Sequence, residues 1–481
     1  MTHEDLIAKV WNYAHLLRDE GVSYGDYVEQ ITYLLFLKMD DERAHLLGEP
    51  SDVLAGCRWA DLASKDGEAL AEHYRATLDA LGKAGGLMGT LFRGAQNKIS
   101  SPARLTKLVS LIGAETWMGL NVDTKGEVYE GLLERNASEV KSGAGQYFTP
   151  RPLIEAITKC VAPKIGQSVH DPACGTGGFL LSAYDYMKAQ ATGDKDQARF
   201  LREKTFSGHD IVAETVRLGA MNLYLHGLGN GDSPISQRDA LGQADGPYHV
   251  ILTNPPFGKK SSTKIIADDG RVTTEKEVYE REDFKYTTGN KQLNFLQHIM
   301  SILAVNGEAA VVLPDNVLFE AGQAGEGIRK RLLEQFNFHT LLRLPTGIFY
   351  KQGVKANVLF FTKKAAATEA QTKALWIYDL RTNMRFTLKK NRMADHDLED
   401  FIRSYNPRGR ASRQESERFH AFSYEDLIAR DKTNLDIFWL KDDSLEDVDS
   451  LPAPDILAAS IVEHLQEALE HFTGVEAELA E

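Results

Sequence analysis

Cysteine is scarce in these 481 residues: Cys57, Cys160 and Cys174 are scattered, with no C-x-x-C pair and no histidine-rich cluster beside them. A disulfide framework and a structural zinc site are excluded, so no metal is expected, and a reducing cytoplasm is the expected setting. Long apolar runs are missing too; none approaches the roughly 20 residues that a membrane-spanning helix needs. The first residues, Met1-Thr2-His3-Glu4-Asp5, lack the basic region and apolar core of a secretory signal. Positive charge is not in surplus either. A formal net charge of −14 argues against a protein that grips nucleic acid unaided through a broad basic face. If DNA is the substrate, a partner must supply much of the positive surface. A phosphate loop is absent as well, because Gly82-Lys83 and Gly258-Lys259 are not followed by Ser or Thr.

What is present is a globular composition, 43% hydrophobic and 26% charged, in a chain long enough for two or three domains. Residues 1 to about 130 read as helical. Thr2–Asp5 is a candidate capping box ahead of Leu6, Val10, Ala14 and Leu17 at helical spacing. Ser23-Tyr24-Gly25-Asp26 opens a second apolar run, Val28 to Met39, and turns at Gly48-Glu49-Pro50 and Gly85-Gly86 punctuate the rest. No chemistry-bearing pattern stands out in this region, which suits packing and docking.

A small-residue loop, Lys141-Ser142-Gly143-Ala144-Gly145, then leads to Gln146-Tyr147-Phe148-Thr149-Pro150-Arg151. Thr149 is placed to cap a helix starting near Pro150 or Arg151; alternatively the Gln, the two aromatics and the Thr line a ligand. Next, Val169-His170 runs into Asp171-Pro172-Ala173-Cys174-Gly175-Thr176-Gly177-Gly178-Phe179. A strand, a glycine-rich turn and an apolar helix make the first half of a nucleotide-binding βαβ unit. Asp171 offers a carboxylate for an amine, and the turn matches no pyrophosphate fingerprint. At the end of the following strand, Thr205–Asp210, the Asp210 carboxylate stands where it would hold two ribose hydroxyls, or else it caps the helix Val212–Leu225. Cys174 suits a small filler in a tight turn. No Pro-Cys pair exists, which removes the usual nucleophile for methylating a ring carbon of cytosine. Asp239 precedes the next strand as an adenine contact or a surface turn residue.

That strand, Val250–Leu252, opens into Thr253-Asn254-Pro255-Pro256-Phe257-Gly258. Two prolines fix the backbone at a strand's carboxyl end, where ligands of open α/β sheets bind, and leave the Asn254 amide and nearby carbonyls as aimed acceptors. Phe257 adds a flat apolar face. Acceptors beside a stacking ring suit a planar base with an exocyclic amine; the bare Asn-Pro-Pro, taken alone, is only a turn opener. Gly258 to Asn290, polar and charged, reads as a lid or substrate-binding loop, or an insertion with no role. Alternation resumes as helix Leu293–Leu303, strand Glu308–Leu313, helix Gly327–Phe336 and strands Phe338–Leu344 and Val358–Thr362. Gly347-Ile348-Phe349-Tyr350 either completes a base pocket or packs in the core. Arg381 to Asp442 carries no readable pattern. After Leu451-Pro452-Ala453-Pro454, a seam of Ala458, Ile461, Leu465, Ala468, Phe472, Val475 and Leu479 at heptad spacing suits a partner helix or the chain's own domain.

The ordered set Gly145-Gln146-Tyr147-Phe148-Thr149-Pro150-Arg151, Asp171 to Phe179 and Asn254-Pro255-Pro256-Phe257 resembles the amino-methyltransferases of DNA adenine. With the helical N-terminal region and Leu344-Pro345-Thr346-Gly347-Ile348-Phe349, it closely resembles the modification subunit of type I restriction-modification systems. The resemblance implies an α/β fold: a Rossmann-like doubly wound methyltransferase sheet at 136–445, a helical N-terminal domain at 1–135 and a C-terminal helical tail at 446–481 for assembly. It implies S-adenosylmethionine as cofactor, covered by Gln146 to Arg151, with Asp171, Thr176, Gly177 and Gly178 at its methionine end and Asp210 on its ribose. It implies double-stranded DNA as substrate, with Asn254 and the Pro255 carbonyl accepting from the amine of a flipped adenine and Phe257 stacked on the base. A separate specificity subunit would read the sequence, and a helicase-nuclease subunit would cleave. In the resemblance the ribose carboxylate is often Glu, one methylene longer than Asp210. A glutamine-side-chain or RNA methyltransferase, or a non-catalytic assembly subunit, remain the other readings.

Overall fold

The computed structural model describes residues 23–117, 129–133, 149–257, 279–349, 354–387 and 391–441 except 49, 192 and 230, together with Val10, Val462 and the backbone of 262–266 and 272–276. Gln146, Tyr147, Phe148, Tyr350, the Thr2–Asp5 capping box and the seam Ala458–Leu479 lie outside the described residues. The chain divides into a large unit, Met1–Arg381 with Arg385–Phe438, and a small one, Thr382–Met384 with Trp439–Glu481.

The first layer of the large unit is helical. Helix α1 (Tyr24–Leu47) starts where the Ser23 hydroxyl accepts the Asp26 N–H and stops at Gly48, which takes a left-handed φ of 66° that a side chain would strain. Helices α2 (Trp59–Ala63), α3 (Gly67–Gly82), α4 (Gly86–Phe92) and α5 (Pro102–Gly113) follow. On α5, proline occupies the first turn, and Leu105, Leu108, Val109 and Ile112, at helical spacing, form its buried face. These helices share one apolar core with Leu218, Met221 and Leu225 of a later helix that flanks the sheet.

Helix α6 (Arg151–Val161) leads into the sheet. In chain order come β1 (Val169–Asp171), α7 (Gly178–Lys188), α8 (Lys195–Glu203), β2 (Phe206–Asp210), α9 (Ala213–Leu225), β3 (Ile235–Gln237) and β4 (Tyr248–Thr253). A two-stranded hairpin, β5 (Ser262–Ile266) with β6 (Val272–Lys276), precedes α10 (Lys291–Ile302), β7 (Leu303–Pro314), α11 (Asn316–Phe319), α12 (Gln323–Gln335), β8 (Phe336–Arg343), β9 (Ala356–Lys363) and β10 (Ala374–Asp379). The chain continues through α13 (Glu399–Tyr405), β11 (Phe419–Ser423) and α14 (Tyr424–Ala429).

Nine strands form one sheet in the order β11-β10-β8-β9-β7-β4-β1-β2-β3. The pairs β3·β2, β2·β1, β1·β4 and β4·β7 are parallel, whereas β9 runs antiparallel to both β7 and β8. The chain proceeds outward from β1 to β2 and β3, then returns to its other side with β4. That reversal leaves a crevice at the carboxyl ends of β1 and β4, the place where such sheets bind ligands.

Three stretches that the sequence left open take form. First, Gly258–Asn290 holds the β5–β6 hairpin, and its end is anchored, with Tyr279 donating to Asp239 Oδ2 (3.1 Å) and Arg281 to the Leu241 carbonyl (3.1 Å). Its polar, charged composition concealed pairing that depends on backbone groups. Second, residues 381–442 contribute β11, α13 and α14, elements too short for periodicity to reveal. Third, Thr149 does not cap α6. The cap position is Pro150, with no side-chain hydrogen bond, and the Thr149 hydroxyl is turned to another task.

Candidate active site

A cavity of about 1410 Å³ opens at the crevice and gathers most of the described candidate site residues, while Gly177, Pro255 and Phe257 stand behind its lining. The lining residues include Thr149, Arg151, Asp171, Gly175, Thr176, Gly178, Asp210, Asp239, Asn254 and Pro256. The strand ends explain the convergence: Asp171 closes β1, Asp210 closes β2, Asp239 follows β3 and Asn254 follows β4.

The glycine turn is tightly braced. Gly175 and Gly177 have φ of 53° and 82°, so L side chains are disfavoured at both. The turn is held by two contacts that sequence patterns did not reveal. Asn222 of α9 donates to the Thr176 carbonyl (3.0 Å), and a Cβ at Gly219 would fall 2.8 Å from the Gly175 carbonyl oxygen. The only signal for the first is a buried Asn on an otherwise apolar helix face. Cys174 is buried in this turn, its N–H bound to the His209 carbonyl (2.9 Å). Burial, then the nearby Asp171 and Asp210, push its thiol well above the ordinary value, so it is no nucleophile.

Asp171 is fully buried and accepts the Ala173 N–H at 3.0 Å. Burial pushes its carboxyl up to about 7; the neighbouring Thr253 hydroxyl and the Ala173 N–H offset part of this, and the Asp210 charge adds to it. Asp210 accepts Gly175 N–H at Oδ2 (3.2 Å) and Val212 N–H at Oδ1 (2.8 Å), so it ties the glycine turn to the start of α9. Burial raises its pKa as well, against those backbone donors. Asp239 accepts Leu241 N–H and Tyr279 O–H, at 3.0 and 3.1 Å. Arg151 is half exposed and ion-paired to Glu130 and Glu155.

Asn254 donates from Nδ2 to the Thr149 hydroxyl oxygen at 2.8 Å, across 105 residues of chain. Pro255 is buried and Pro256 exposed; the Pro256 carbonyl accepts from Gln292 Nε2 at 3.3 Å. Phe257, 8% exposed, packs edge-to-face on Phe349 with ring centroids 5.7 Å apart. Ile348 lines the cavity, so the late Gly347-Ile348-Phe349 stretch does adjoin the site. Thr387, Arg392 and Met393, from the region without readable pattern, line it too.

Strand alternation places His170 and His209 on the sheet face opposite Asp171 and Asp210. There His170 and His209 each share a hydrogen bond with a serine of the neighbouring strand, Ser207 and Ser236, both at 2.8 Å. With Asp245 they form the one group among the described residues whose donor atoms cluster as metal ligands do. The Arg238 guanidinium, 3.1 Å from Asp245 Oδ2, already balances that carboxylate, and burial holds His170 neutral by lowering its pKa to about 3.

Sheet topology, glycine turn and strand-end carboxylates together define an α/β methyltransferase. The chain belongs to the N-6 DNA methylase family, whose model matches residues 120–442, and a second model, the HsdM N-terminal domain, matches residues 6–112. It is 40% identical to the EcoKI methylase subunit of the type I restriction enzyme of Escherichia coli (strain K12), over 100% of this chain and 96% of that one. The StySJI methylase subunit of Salmonella typhimurium (strain LT2) is equally similar, at 40% over the same shares. Among solved structures, the EcoKI M protein is 36% identical with a TM-score of 0.54, covering 99% of this chain and 96% of that one. A structure from work on complex assembly and conformational transition of the type I restriction-modification system is 28% identical with a TM-score of 0.74, covering 100% and 99%. These relatives favour DNA adenine methylation over the RNA, protein-amide and scaffold readings. Among the described residues, no helix is long and apolar enough to cross a membrane.

Proposed function

We propose that this chain transfers the methyl group of S-adenosylmethionine to N6 of a flipped adenine in double-stranded DNA, as the modification subunit of a type I restriction-modification complex. The observation that carries the assignment is Asn254, fixed at the switch point in the same cavity as Asp171, Asp210 and the glycine turn. The cavity fits the cofactor: a buried carboxyl at Asp171 awaits a positive group, and left-handed glycines let backbone approach closely. S-adenosylmethionine, when bound, supplies a methyl on a positively charged sulfur.

Asp171 with Thr176, Gly177 and Gly178 holds the methionine end, Asp210 takes the ribose, Asp239 lies toward the adenine ring, and residues 146–151 cover the ligand. Asn254 and the Pro255 carbonyl accept from the target amine, keeping its lone pair directed at the methyl for in-line displacement, while Phe257, seated on Phe349, gives the base its stacking face. The protein positions and places charge; it needs no general base. Domain boundaries near 135 and 445 go with this reading, residues 446–481 serving assembly.

A net charge of −14 makes independent DNA binding unfavourable, so a specificity subunit supplies sequence reading and much of the grip, and a helicase-nuclease subunit supplies cleavage. The purified chain is expected to bind cofactor but to methylate a specific site only after its specificity subunit is added. Truncation after Leu451 is expected to preserve cofactor binding and lose that reconstituted activity. Tritium transfer to target and control duplexes tests both, and specific methylation by the single chain refutes the partner requirement.

Asp210→Ala separates binding from capping. Its carboxylate bridges Gly175 and Val212, so removal should lower stability by about 1 kcal/mol. Loss of a charged acceptor for two hydroxyls should also weaken cofactor binding by about 1–3 kcal/mol. Thermal melts without cofactor and calorimetry with it read the two effects independently; unchanged affinity would leave Asp210 as a turn residue alone.

A further inference from the structure

We infer that Thr149 is a positioning residue for methyl transfer, acting through Asn254 by fixing which end of that amide faces the target amine. The inference rests on the assignment of Asn254 to the adenine N6 group.

An asparagine amide has a donating and an accepting end of nearly equal shape, and a rotation of about 180° exchanges them. An exocyclic amine donates, so only the Oδ1-forward orientation serves the reaction. The reversed amide would set N–H against N–H and remove the polarisation of the amine. Proline at 255 restrains the backbone but leaves the side-chain amide free to rotate. Something must hold it. In the structure, Asn254 Nδ2 lies 2.8 Å from Thr149 Oγ1, and both residues line the cavity. Thr149 is 9% exposed, immediately before the Pro150 that begins the entry to α6. The rigid Pro150-Arg151-Pro152 start therefore anchors the hydroxyl, while the prolines after Asn254 fix only the backbone that carries the amide.

A hydroxyl donates as well as accepts, so Thr149 by itself could hold the amide in either orientation. Its own proton decides. When that proton is engaged by another acceptor, the oxygen can only accept from Asn254, and the productive orientation is fixed. The carboxylate of a bound S-adenosylmethionine would offer such an acceptor, and Thr149 would then hold the Asn254 amide with its oxygen toward the base.

The test uses the full chain with its specificity subunit and saturating cofactor. Thr149→Val keeps shape and removes both hydrogen-bonding capacities; Thr149→Ser keeps the hydroxyl. Thr149→Val is expected to lower kcat about tenfold to a hundredfold, the effect of losing one buried hydrogen bond that must be correctly oriented. DNA affinity and melting temperature should stay near those of the parent, and Thr149→Ser should recover most of the rate. If Thr149→Val melts early, Thr149→Ala replaces it with the same expectation. The proposal is overturned if Thr149→Val and Asn254→Ala part company, the first turning over at the parent rate and the second slowed about 10²–10³-fold. A loss in cofactor affinity with kcat intact at saturation also overturns it. An active Asn254→Ala would instead remove the assignment beneath it.

Discussion

Asn254→Ala is expected to slow methyl transfer about 10²–10³-fold, the range for removing one preorganised group that meets charge developing in a transition state. Affinity for S-adenosylmethionine should change little. The physical basis is a division of labour within one cavity. Apart from the 146–151 cover, the groups proposed to hold the cofactor sit at the ends of β1, β2 and β3, whereas Asn254 follows β4 on the other side of the switch point. An amine poised to attack carries partial positive charge as the new bond forms, and acceptors at Asn254 and Pro255 stabilise that charge more than they stabilise the resting base. Interactions made only in the transition state lower kcat when lost and leave ground-state binding unchanged. Calorimetry with cofactor, beside tritium transfer to DNA in the complex with the specificity subunit, checks the split. Parent-level transfer by the variant would sink the assignment. A proportional loss of cofactor affinity would move Asn254 to the cofactor's side of the cleft.

The sequence made the architecture legible where periodicity was long. Helix α1 and strands β4, β7, β8 and β9 fall where apolar runs placed them, because elements buried on more than one face leave near-continuous apolar runs in the sequence. The site was legible for a different reason. Asp171, Asp210 and Asn254 each stand at a strand end, and a doubly wound sheet brings strand ends together whatever the sequence between them. Three- to six-residue elements such as β3, β10 and α14 left too little pattern to read. Contacts made by backbone were invisible as well: the approach of Gly219 to the Gly175 carbonyl depends on the absence of a side chain, and the Gln292 bond to Pro256 on a carbonyl every residue possesses. Thr149 shows a third limit. Its position before Pro150 fits a helix cap, and only the fold reveals a partner 105 residues away.

Cofactor binding is expected to strengthen as pH rises from about 5 to about 7, by as much as tenfold per unit, and then to level off. The cause is Asp171, whose carboxyl burial pushes up to about 7 from the ordinary 3.8. In the cofactor-free protein the group is then largely protonated below neutrality. A positively charged ammonium placed against it favours the carboxylate, so binding below pH 7 must expel a proton, and affinity falls as protons become more plentiful. The same shift works on stability in the opposite sense. The unfolded chain ionises near 3.8 while the folded one still holds its proton, so this group's contribution is present at acid pH and is lost as pH rises toward 7. Bound cofactor reverses that loss, and the stabilisation it confers should therefore grow across the same interval. Calorimetry in two buffers of different ionisation heat counts the proton directly, and melts with and without cofactor from about pH 5 to 8 follow the coupling. Asp171→Asn should flatten both profiles and, at about pH 8, weaken binding by about 1.5–3 kcal/mol, the value of a hydrogen bond to a charged group. A parent protein whose cofactor affinity is level across that range, with no proton released, would place the methionine end somewhere other than Asp171.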